Sequence, residues 1–389
     1  MKRIKVLHSI TRLIIGGAQE NTVLSAQLLD KDKYEVDVIC GAQLGREGSL
    51  LEESYQRNVF PKIFKNLVRE INPIKDFIHL IEMIIFLKKN NYTIIHTHSS
   101  KAGFIHRIAA KIVNVPIIIH TVHGWSFHNE MSKLKRKVYV GLEKIAAKFS
   151  NKIITVTDLD IKKGLKEKIG REEQYKTIHS SIEVEKYEKP QRNLNEIREE
   201  FNIKPDDFVV GTVARLAEQK APLDFMKIAY RVSPKIKNIK FLYVGDGHLR
   251  KDVEKYIRKN GLEKKVILAG LRTDVPDMLA VMDIFILTSL WEGLPRVFSQ
   301  AMAAKLPIIA TKVAGAPEAI IDGKNGHMTT PGKPMEMIPY IEKLYKYSKK
   351  RELMGEFGYK IAHKHFSVYS MIKDIEDIYE IILKEKNLL

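Results

Sequence analysis

The stretch SLWEGLPRVFSQ, residues 289 to 300, places one carboxylate at a turn and one amide shortly after it. Glu292 follows an apolar run, and Pro295 is suited to the first turn of a helix. Gln300 would then lie inside that helix, roughly 7 Å further along its axis. Both side chains could contact one extended ligand. Because a carboxylate repels phosphate, Glu292 suits a neutral or incipiently cationic group, such as sugar hydroxyls or an anomeric carbon.

Two cations in the segment GTVARLAEQKAPLDF could bind an anion at another strand end. Arg215 follows an apolar run, and Lys220 stands just before a helical pattern whose first turn contains Pro222. A guanidinium bridges two oxygens and an ammonium supplies a point charge, so this pair beside a helix N-terminus predicts a phosphate site. Two unrelated surface cations are the alternative. The segment VGDGHLR adds a glycine turn, with Gly245, at the end of the next strand.

A double glycine, Gly16-Gly17, separates the first apolar run from a helical pattern. Its backbone N–H groups would be open to an anion or to a closely approaching ligand. The spacing differs from the Gly-x-Gly-x-x-Gly fingerprint of dinucleotide-binding sites, and a plain turn is the alternative.

Histidines are concentrated in two neighbouring segments, HTHSSKAGFIHR and HTVHGWSFH. The six are His96, His98, His106, His120, His123 and His128. No acidic cluster lies near them to complete a set of metal ligands, so the sequence predicts no metal site. We expect one or two of these histidines to hydrogen-bond a polar substrate. His123 is the first choice, because Gly124 lets its loop approach a ligand closely.

Continuous apolar runs that end in polar or glycine-containing turns alternate with helical patterns along the whole chain. The runs are RIKVLHSI, YEVDVICG, YTIIHTH, VPIIIHTVHG, NKIITVTD and YKTIHSSI in the first half, and DFVVGTVARL, IKFLYVGDG, KVILAGL, DIFILTS and LPIIATKVAG in the second. This alternation predicts an α/β fold with two parallel sheets, each covered by helices on both faces. Ligands of such sheets bind beyond the carboxyl ends of the strands, where the candidate residues lie.

A charged, proline-bearing segment at residues 183 to 201 interrupts the pattern and marks a domain boundary. We expect an N-terminal Rossmann-like domain over residues 1–188, a second over residues 189–365, and a final helix over residues 366–389 that packs back across the interface. The Asp-x-Asp of TDLD, residues 157 to 160, imitates a metal-binding motif, but its place at a helix start favours capping.

Length and composition limit the class of protein. With 389 residues, 44% of them apolar, the chain is long enough for two domains of ordinary size. Its single cysteine, Cys40, excludes an internal disulfide framework and fits a reducing compartment, so we expect a cytoplasmic protein. His8 and Arg12 interrupt the N-terminal apolar run, which therefore lacks a signal-peptide core. The apolar segment at residues 77 to 87 is too short to span a bilayer.

The formal net charge of +18 would suit a polyanionic partner or a membrane surface. The excess is largest in residues 101 to 150, which contain nine basic residues against two acidic ones. Within this region, residues 131 to 150 form the pattern of an amphipathic helix flanked by lysines, which could lie on an anionic membrane surface. A solvated surface helix is the alternative. Nucleic acid is not an expected partner, because stacking aromatics are not interleaved with the basic residues.

Taken together, these motifs resemble the retaining, nucleotide-sugar-dependent glycosyltransferases of family four, which have the GT-B fold of two facing Rossmann-like domains. The segments that carry the resemblance occur in the family's order: GGAQ, HTHSSKAG, HTVHGWSF, ARLAEQK, VGDGHLR, GLRTDVPDML, SLWEGLPRVFSQAMAAKLPIIATKVAGAPEAI and DGKNG. They extend over essentially the whole chain.

The resemblance implies roles for the candidate residues. Arg215 and Lys220 would bind the donor diphosphate and stabilise the leaving group. Glu292 would contact donor-sugar hydroxyls beside the reacting carbon, and His123 would touch the sugar from the N-terminal domain. The other donor-binding positions would be Gly16, Gly17, Gly245, Arg272, Gly293, Leu294 and Gln300. Of these, Arg272 would lie near the nucleobase, and the backbone N–H groups around Gly293 and Leu294 would assist the phosphates.

The sequence departs from the family pattern most clearly at Gln300, where a second glutamate is usual. That glutamate accepts hydrogen bonds from both ribose hydroxyls, whereas an amide can accept from one and donate to the other. The loss of charge-assisted bonds, about 1 kcal/mol each, predicts weaker donor binding with the chemistry retained. The segment IHSSIE and Lys305 depart from the pattern as well.

The implied activity is transfer of a sugar, with retention, from a nucleoside diphosphate sugar to an acceptor hydroxyl, without a metal or other cofactor. UDP is the favoured nucleotide because it is the most frequent. The favoured acceptor is a lipid-linked saccharide at the inner membrane face, in cell-surface polysaccharide assembly. Two alternatives remain: a degenerate binding or scaffold subunit, suggested by Gln300, and a GT-B sugar-nucleotide epimerase.

Overall fold

The computed structural model describes residues 3–43, 48–127 and 131–389. The chain divides into two compact units, of which the first contains Met1–Ser180 together with Val368–Leu389 and the second contains Ser181–Ser367. Each unit is a parallel sheet with helices between its strands, which confirms the predicted α/β class and its two Rossmann-like halves. Among the described helices, none combines the length and the apolar character needed to cross a bilayer.

The first unit has a seven-stranded sheet in the order β3-β2-β1-β4-β5-β6-β7. Its strands are β1 Ile4–Ile10, β2 Tyr34–Gly41, β3 Lys62–Phe64, β4 Ile94–His98, β5 Ile117–Val122, β6 Lys152–Thr155 and β7 Tyr175–Thr177. Its helices are α1 Gly17–Leu28, α2 Leu51–Gln56, α3 Pro73–Asn90, α4 Ser100–Ile112, α5 Lys133–Ala147 and α6 Asp158–Lys166, with a 3₁₀ turn at Glu172–Gln174. The strand order reverses between β1 and β4, so the loops after these two strands diverge and leave space for a ligand.

The second unit has a six-stranded sheet in the order β10-β9-β8-β11-β12-β13. Its strands are β8 Phe208–Val213, β9 Ile239–Val244, β10 Val266–Gly270, β11 Ile284–Leu287, β12 Ile308–Thr311 and β13 Gly326–Thr329. Its helices are α7 Leu194–Glu200, α8 Pro222–Val232, α9 Arg250–Lys259, α10 Val275–Ala280, α11 Arg296–Ala303, α12 Ala316–Ala319, α13 Ile338–Lys346 and α14 Ser348–His365, with 3₁₀ turns at Val184–Tyr187, Glu218–Lys220 and Pro334–Met337. Here the order reverses between β8 and β11.

The last helix, α15 (Val368–Glu385), belongs to the first unit, as the sequence predicts. Its apolar face lies in the same core as Val6 of β1 and Ile94 of β4. Tyr379 of α15 is fully buried, and its hydroxyl lies 2.7 Å from Nδ1 of His96. The last helix of the chain therefore packs in the same hydrophobic core as its first strand.

The unit boundaries differ slightly from the predicted ones. The chain passes to the second unit after Ser180 rather than at residue 188, because Ile182 and Val184 are buried in the second unit's core. It returns after Ser367, against a predicted residue 365. The strand patterns also omit β3 and β13, two short edge strands of three and four residues. Thr157 caps α6 by accepting a hydrogen bond from the backbone N–H of Asp160, which confirms the capping interpretation of TDLD.

A set of buried histidines lies at the carboxyl ends of the central strands of the first sheet and in the helix that follows β4. They are His8 of β1, His96 and His98 of β4, His106 of α4 and His120 of β5. Burial lowers the pKa of His8 to about 3 and holds the pKa of each of the other four well below its ordinary value. These side chains are therefore neutral in the folded protein at physiological pH.

These histidines should make the first unit sensitive to mild acid. Below about pH 6.5 the unfolded chain takes up protons that the folded histidines exclude, so the free energy of unfolding falls with pH by up to ~1.4 kcal/mol per pH unit for each histidine. Denaturant titrations between pH 8 and pH 5 should show this slope. His106→Gln should reduce it, whereas His248→Gln, at an exposed position, should not. A free energy of unfolding that stays constant over this range would contradict the prediction.

Candidate functional site

Five candidate residues of the second unit lie in the loops that follow β8 and β11, the two strands at the reversal of strand order: Arg215, Lys220, Glu292, Gly293 and Leu294. Hydrogen bonds join the two loops. The hydroxyl of Thr288 donates to the carbonyls of Lys220 and Ala221 at 2.9 and 3.2 Å, and the N–H of Leu290 donates to the carbonyl of Gln219 at 2.8 Å. These bonds hold together two loops that are far apart in the sequence.

Glu292 is held by three side chains. Its carboxylate forms an ion pair with the ammonium of Lys220, and both side chains are largely buried, with 8% and 15% of their surfaces exposed. Ser289 Oγ donates to Glu292 Oε1 at 2.7 Å, and Gln219 Nε2 donates to Oε2 at 3.2 Å. The structure therefore brings together the predicted acid and one predicted phosphate ligand. Ser289 and Gln219 were not identified from the sequence, although each adjoins a motif residue.

Arg215 differs from Lys220 in having no ion-pair partner in the part of the chain that the structure describes. Its side chain is exposed, and its guanidinium makes no hydrogen bond or ion pair with a described residue. The backbone N–H groups of Gly293 and Leu294, which stand just before α11, likewise donate to no described residue. An exposed guanidinium and open N–H groups near a helix N-terminus are each suited to an anion.

Gly245 and Arg272 are each constrained by neighbouring residues of the second unit. Gly245 has φ +135°, and a Cβ there would lie 2.0 Å from the carbonyl oxygen of Ala214, so only glycine fits. Arg272 donates to Asp274 Oδ1 at 2.7 Å and to Glu200 Oε1 at 2.8 Å. These bonds raise the pKa of Arg272, whose charge is thereby neutralised within the unit. A contact between Arg272 and a nucleobase stays a prediction.

Gln300 points its amide at a tyrosine. It lies on α11, which begins at Arg296 with Pro295 as its N-cap, and its Nε2 donates to the hydroxyl of Tyr187 at 2.8 Å. The Oε1 atom stays available to accept from a ligand hydroxyl. Tyr187 is not among the residues identified from the sequence, because it lies in the charged segment that marks the domain boundary.

In the first unit, His123 is the half-exposed end of a hydrogen-bonded chain of histidines. Its Nε2 lies 3.1 Å from Nδ1 of His98, and Nε2 of His98 lies 3.0 Å from Nδ1 of His8. Nε2 of His8 in turn lies 3.4 Å from the hydroxyl of Tyr379. Of the six histidines in the two predicted segments, His96, His98, His106 and His120 are buried, and His128 lies outside the described residues.

This chain couples the tautomers of its members, because each neutral ring carries one proton. If His8 donates to His98, His98 must donate to His123, whose own proton then sits on Nδ1. If His123 donates from Nε2, every bond in the chain runs the other way and Nδ1 of His123 carries no proton. The position of the proton on His123 is therefore coupled to the protons of His98 and His8, which lie deep in the first unit.

His8, His96 and His98 also place ring nitrogens within 4.8 Å of one another, close enough for a metal ion. Each of these nitrogens has a hydrogen-bond partner: His96, for example, contacts Tyr379 and Thr121, both at 2.7 Å. Hydrogen bonds thus account for the trio without a metal, and no carboxylate is among the three to balance the charge of an ion.

Gly16 and Gly17 stand where the sequence predicts, between β1 and α1. Gly16 is the N-cap of α1, with an extended backbone, and α1 begins at Gly17. The neighbouring loop after β4 is fixed by Ser99, whose hydroxyl lies 2.7 Å from that of Thr11 and accepts from the Thr11 N–H at 3.1 Å. The glycines therefore lie at the reversal of strand order in the first sheet.

Comparison with known proteins shows close relatives among bacterial glycosyltransferases. The chain is 33% identical, over 317 residues that make up 80% of each chain, to the Escherichia coli UDP-Gal:alpha-D-GlcNAc-diphosphoundecaprenol alpha-1,3-galactosyltransferase. It is 25% identical, over 99% of each chain, to the capsular polysaccharide biosynthesis glycosyltransferase CapM of Staphylococcus aureus.

Solved structures show the same fold. Anabaena HepE, crystallised with UDP and glucose, superposes with a TM-score of 0.82 at 22% identity, covering 97% of this chain and 100% of HepE. A glycosyltransferase from Rickettsia africae gives a TM-score of 0.84 at 20% identity, covering 99% of this chain and 100% of that one. The architecture is accordingly GT-B, as the sequence predicts.

Family models match both halves of the chain. Residues 15–186 match the model described as Glycosyltransferase Family 4, and residues 193–361 match the model described as Glycosyl transferases group 1. Each match lies largely within one of the two structural units. Together with a relative 33% identical over four fifths of both chains, these matches show that the chain belongs to the family 4 glycosyltransferases.

Proposed function

We propose that this glycosyltransferase moves a sugar from a nucleoside diphosphate sugar, most favourably a UDP-sugar, to a hydroxyl of a lipid-linked saccharide, with retention of anomeric configuration. The observation that carries the proposal is the anion-binding surface of the second unit. There, the guanidinium of Arg215 and the N–H groups of Gly293 and Leu294 have no hydrogen-bond partner among the described residues. Gly293 and Leu294 directly follow Glu292, whose carboxylate is largely buried, and Arg215 lies in the loop that is bonded to theirs.

In the proposed reaction these residues stabilise the leaving diphosphate. Arg215 and the open N–H groups bind its oxygens, and Lys220 adds positive charge while keeping Glu292 in place. The acceptor oxygen bonds to the anomeric carbon on the face from which the phosphate oxygen leaves. That phosphate oxygen takes the acceptor's proton, so no separate base is required. Glu292 holds sugar hydroxyls, and no step uses a metal or other cofactor.

His123 would hydrogen-bond the donor sugar, with its tautomer fixed through His98. His98 touches no substrate in this proposal and acts by orienting the His123 ring. The preference for UDP rests on the printed name of the E. coli relative and on the UDP complex of HepE.

The proposed acceptor and location follow the relatives that act in polysaccharide assembly. The E. coli relative acts on a diphosphoundecaprenol-linked sugar, and CapM acts in capsule biosynthesis. An acceptor of this class would require the enzyme to work at the inner membrane face. The predicted basic helix is α5, which exposes lysines at positions 133, 135 and 137 and could bind anionic headgroups.

The donor site should bind UDP selectively in calorimetric titrations against GDP and ADP. Gln300→Glu should tighten UDP binding by about tenfold, because a carboxylate restores charge-assisted bonds to the ribose hydroxyls. Gln56→Glu, the same change at an exposed position in the first unit, serves as the control and should have no effect. Absence of nucleotide binding to all three proteins would favour the scaffold alternative instead.

Arg215→Gln should lower the transfer rate by about 10²-fold or more, because it removes a donor aimed at the leaving group. Its guanidinium makes no hydrogen bond or ion pair with a described residue, so the thermal stability should stay unchanged. Arg258→Gln, at another exposed arginine, is the matched control.

The assay follows transfer from a UDP-sugar to a polyprenyl-diphosphate saccharide, and NMR of the product should show the donor's anomeric configuration. An inverted product would rule out the proposed stereochemistry.

Replacing Lys133, Lys135 and Lys137 together with glutamine should weaken binding to anionic vesicles by at least about tenfold, at roughly 1 kcal/mol per lysine near the surface. The matched control carries the same changes at positions 251, 255 and 259 of α9 in the second unit. Cosedimentation at low salt measures the effect. If the α5 variant binds as well as the wild type, α5 is a solvated surface helix.

A further inference from the structure

Helix α3 has apolar side chains on two opposite faces. One face contributes Met83 and Leu87 to the core of the first unit. The other face is exposed to solvent and consists of Ile74, Phe77, Ile78, Ile81 and Ile85, with exposed fractions of 74, 63, 42, 43 and 62%. We call these five residues the α3 stripe.

The spacing of the α3 stripe keeps it on one side of the helix. Intervals of three, four, seven and eleven residues from Ile74, at about 100° per residue, place all five side chains within an arc of roughly 100°. Isolated exposed apolar residues are ordinary, but a contiguous patch of this kind marks an interaction surface.

The fold does not need this stripe for its own stability. The opposite face already anchors α3: Phe86 packs against Phe64 of β3 with ring centroids 5.5 Å apart, and His79 bonds His106 of α4 at 2.8 Å. Within the described part of the chain, every residue of the stripe keeps at least 42% of its surface exposed.

Exposed charge on α3 and in the residues just before it is mainly positive. Exposed cations stand on α3 and in the residues just before it: Lys62, Lys65, Arg69, Lys75, Lys88 and Lys89. Of the nearby acids, Asp76 pairs with Lys101 at 2.5 Å and Glu82 accepts from Asn66 at 2.8 Å, which leaves Glu70 as the exposed acid of described residues 60–90. The charge offered around the apolar side chains is therefore mainly positive.

We propose that the α3 stripe inserts into the headgroup region of an anionic bilayer, with the surrounding lysines at the phosphates. An amphipathic helix that lies in the membrane plane has this combination of an apolar face and flanking cations. A symmetric contact between two copies would instead bring the cations of both chains together, at an electrostatic cost. The α3 stripe supplies apolar contact, which the lysines of α5 alone do not.

The topology allows α3 and α5 to act together. The crossovers β3-α3-β4, β4-α4-β5 and β5-α5-β6 advance in the same direction across the sheet, and right-handed crossovers place these helices on the same face. Helix α5 also exposes Leu134 and Val138, by 76 and 53%. For catalysis, the inference rests on the proposed lipid-linked acceptor, because docking would hold the first unit where such an acceptor is embedded.

The test compares the full chain with Ile74→Ser/Ile81→Ser for binding to vesicles of phosphatidylglycerol and phosphatidylethanolamine. The control, Ile321→Ser/Ile381→Ser, makes the same change at exposed positions elsewhere. We expect the α3 variant to bind at least about tenfold more weakly, while the control matches the wild type. Residual wild-type binding at high salt, where charge is screened, should depend on the stripe.

Equal vesicle binding by the α3 variant and the wild type would overturn the proposal, as would absence of wild-type binding to any vesicle. A wild-type dimer that the α3 substitutions dissociate, with vesicle binding unchanged, would also overturn it by identifying a contact between copies. The measurement needs neither donor nor acceptor, so it is independent of the proposed activity. Transfer to a short water-soluble acceptor should be unaffected in the α3 variant, which separates docking from catalysis.

Discussion

Reversal of the strand order is the constraint on which the rest of the structure depends. A parallel sheet directs all its carboxyl ends to one edge, and loops diverge there only where successive crossovers change direction. In the second unit this change falls between the paired strands β8 and β11, and the loops after them contain Arg215, Lys220 and Glu292, although these residues are up to 77 positions apart in the numbering. In the first unit it falls between the paired strands β1 and β4, where Thr11, in the loop before α1, bonds Ser99 in the loop after β4.

Much of this arrangement could be predicted from the sequence. The apolar runs identify eleven of the thirteen strands in the described ranges, because a strand buried on both faces is continuously apolar. The short edge strands β3 and β13 were missed, since three or four residues carry no periodicity. The positions of Arg215, Lys220 and Glu292 after their strands also follow from the pattern alone.

Contacts made through the tertiary fold could not be predicted in the same way. His96 bonds Tyr379, 283 residues away, and Gln300 bonds Tyr187, 113 residues away. The pairing of Lys220 with Glu292 likewise requires two loops to meet across 72 residues. A sequence pattern reports which face of an element is buried, but it does not report which polar groups meet there. For this reason the sequence could single out His123 as a candidate, but it could not predict the hydrogen bonds that join His123 to His98 and His98 to His8.

The two units differ in the charge of the side chains at the carboxyl edges of their sheets. At the carboxyl edge of its sheet, the first unit buries neutral imidazoles that satisfy one another, and its deepest ion pair, Arg107 with Glu143 at 2.7 Å, ties α4 to α5. The second unit keeps charge at its carboxyl edge, where Lys220 pairs with Glu292 and the guanidinium of Arg215 makes no hydrogen bond or ion pair with a described residue. Such unpaired positive charge suits the binding of an anion.

The position of α15 has a consequence for synthesis. The first unit begins with β1, but its core includes Ile375, Tyr379 and Ile382, close to the end of the chain. On the ribosome, the second unit is complete once Ser367 has emerged, while the first still lacks a helix and the partner of His96. The N-terminal unit is therefore the last to finish folding, and a chain that stops short of α15 leaves that core open.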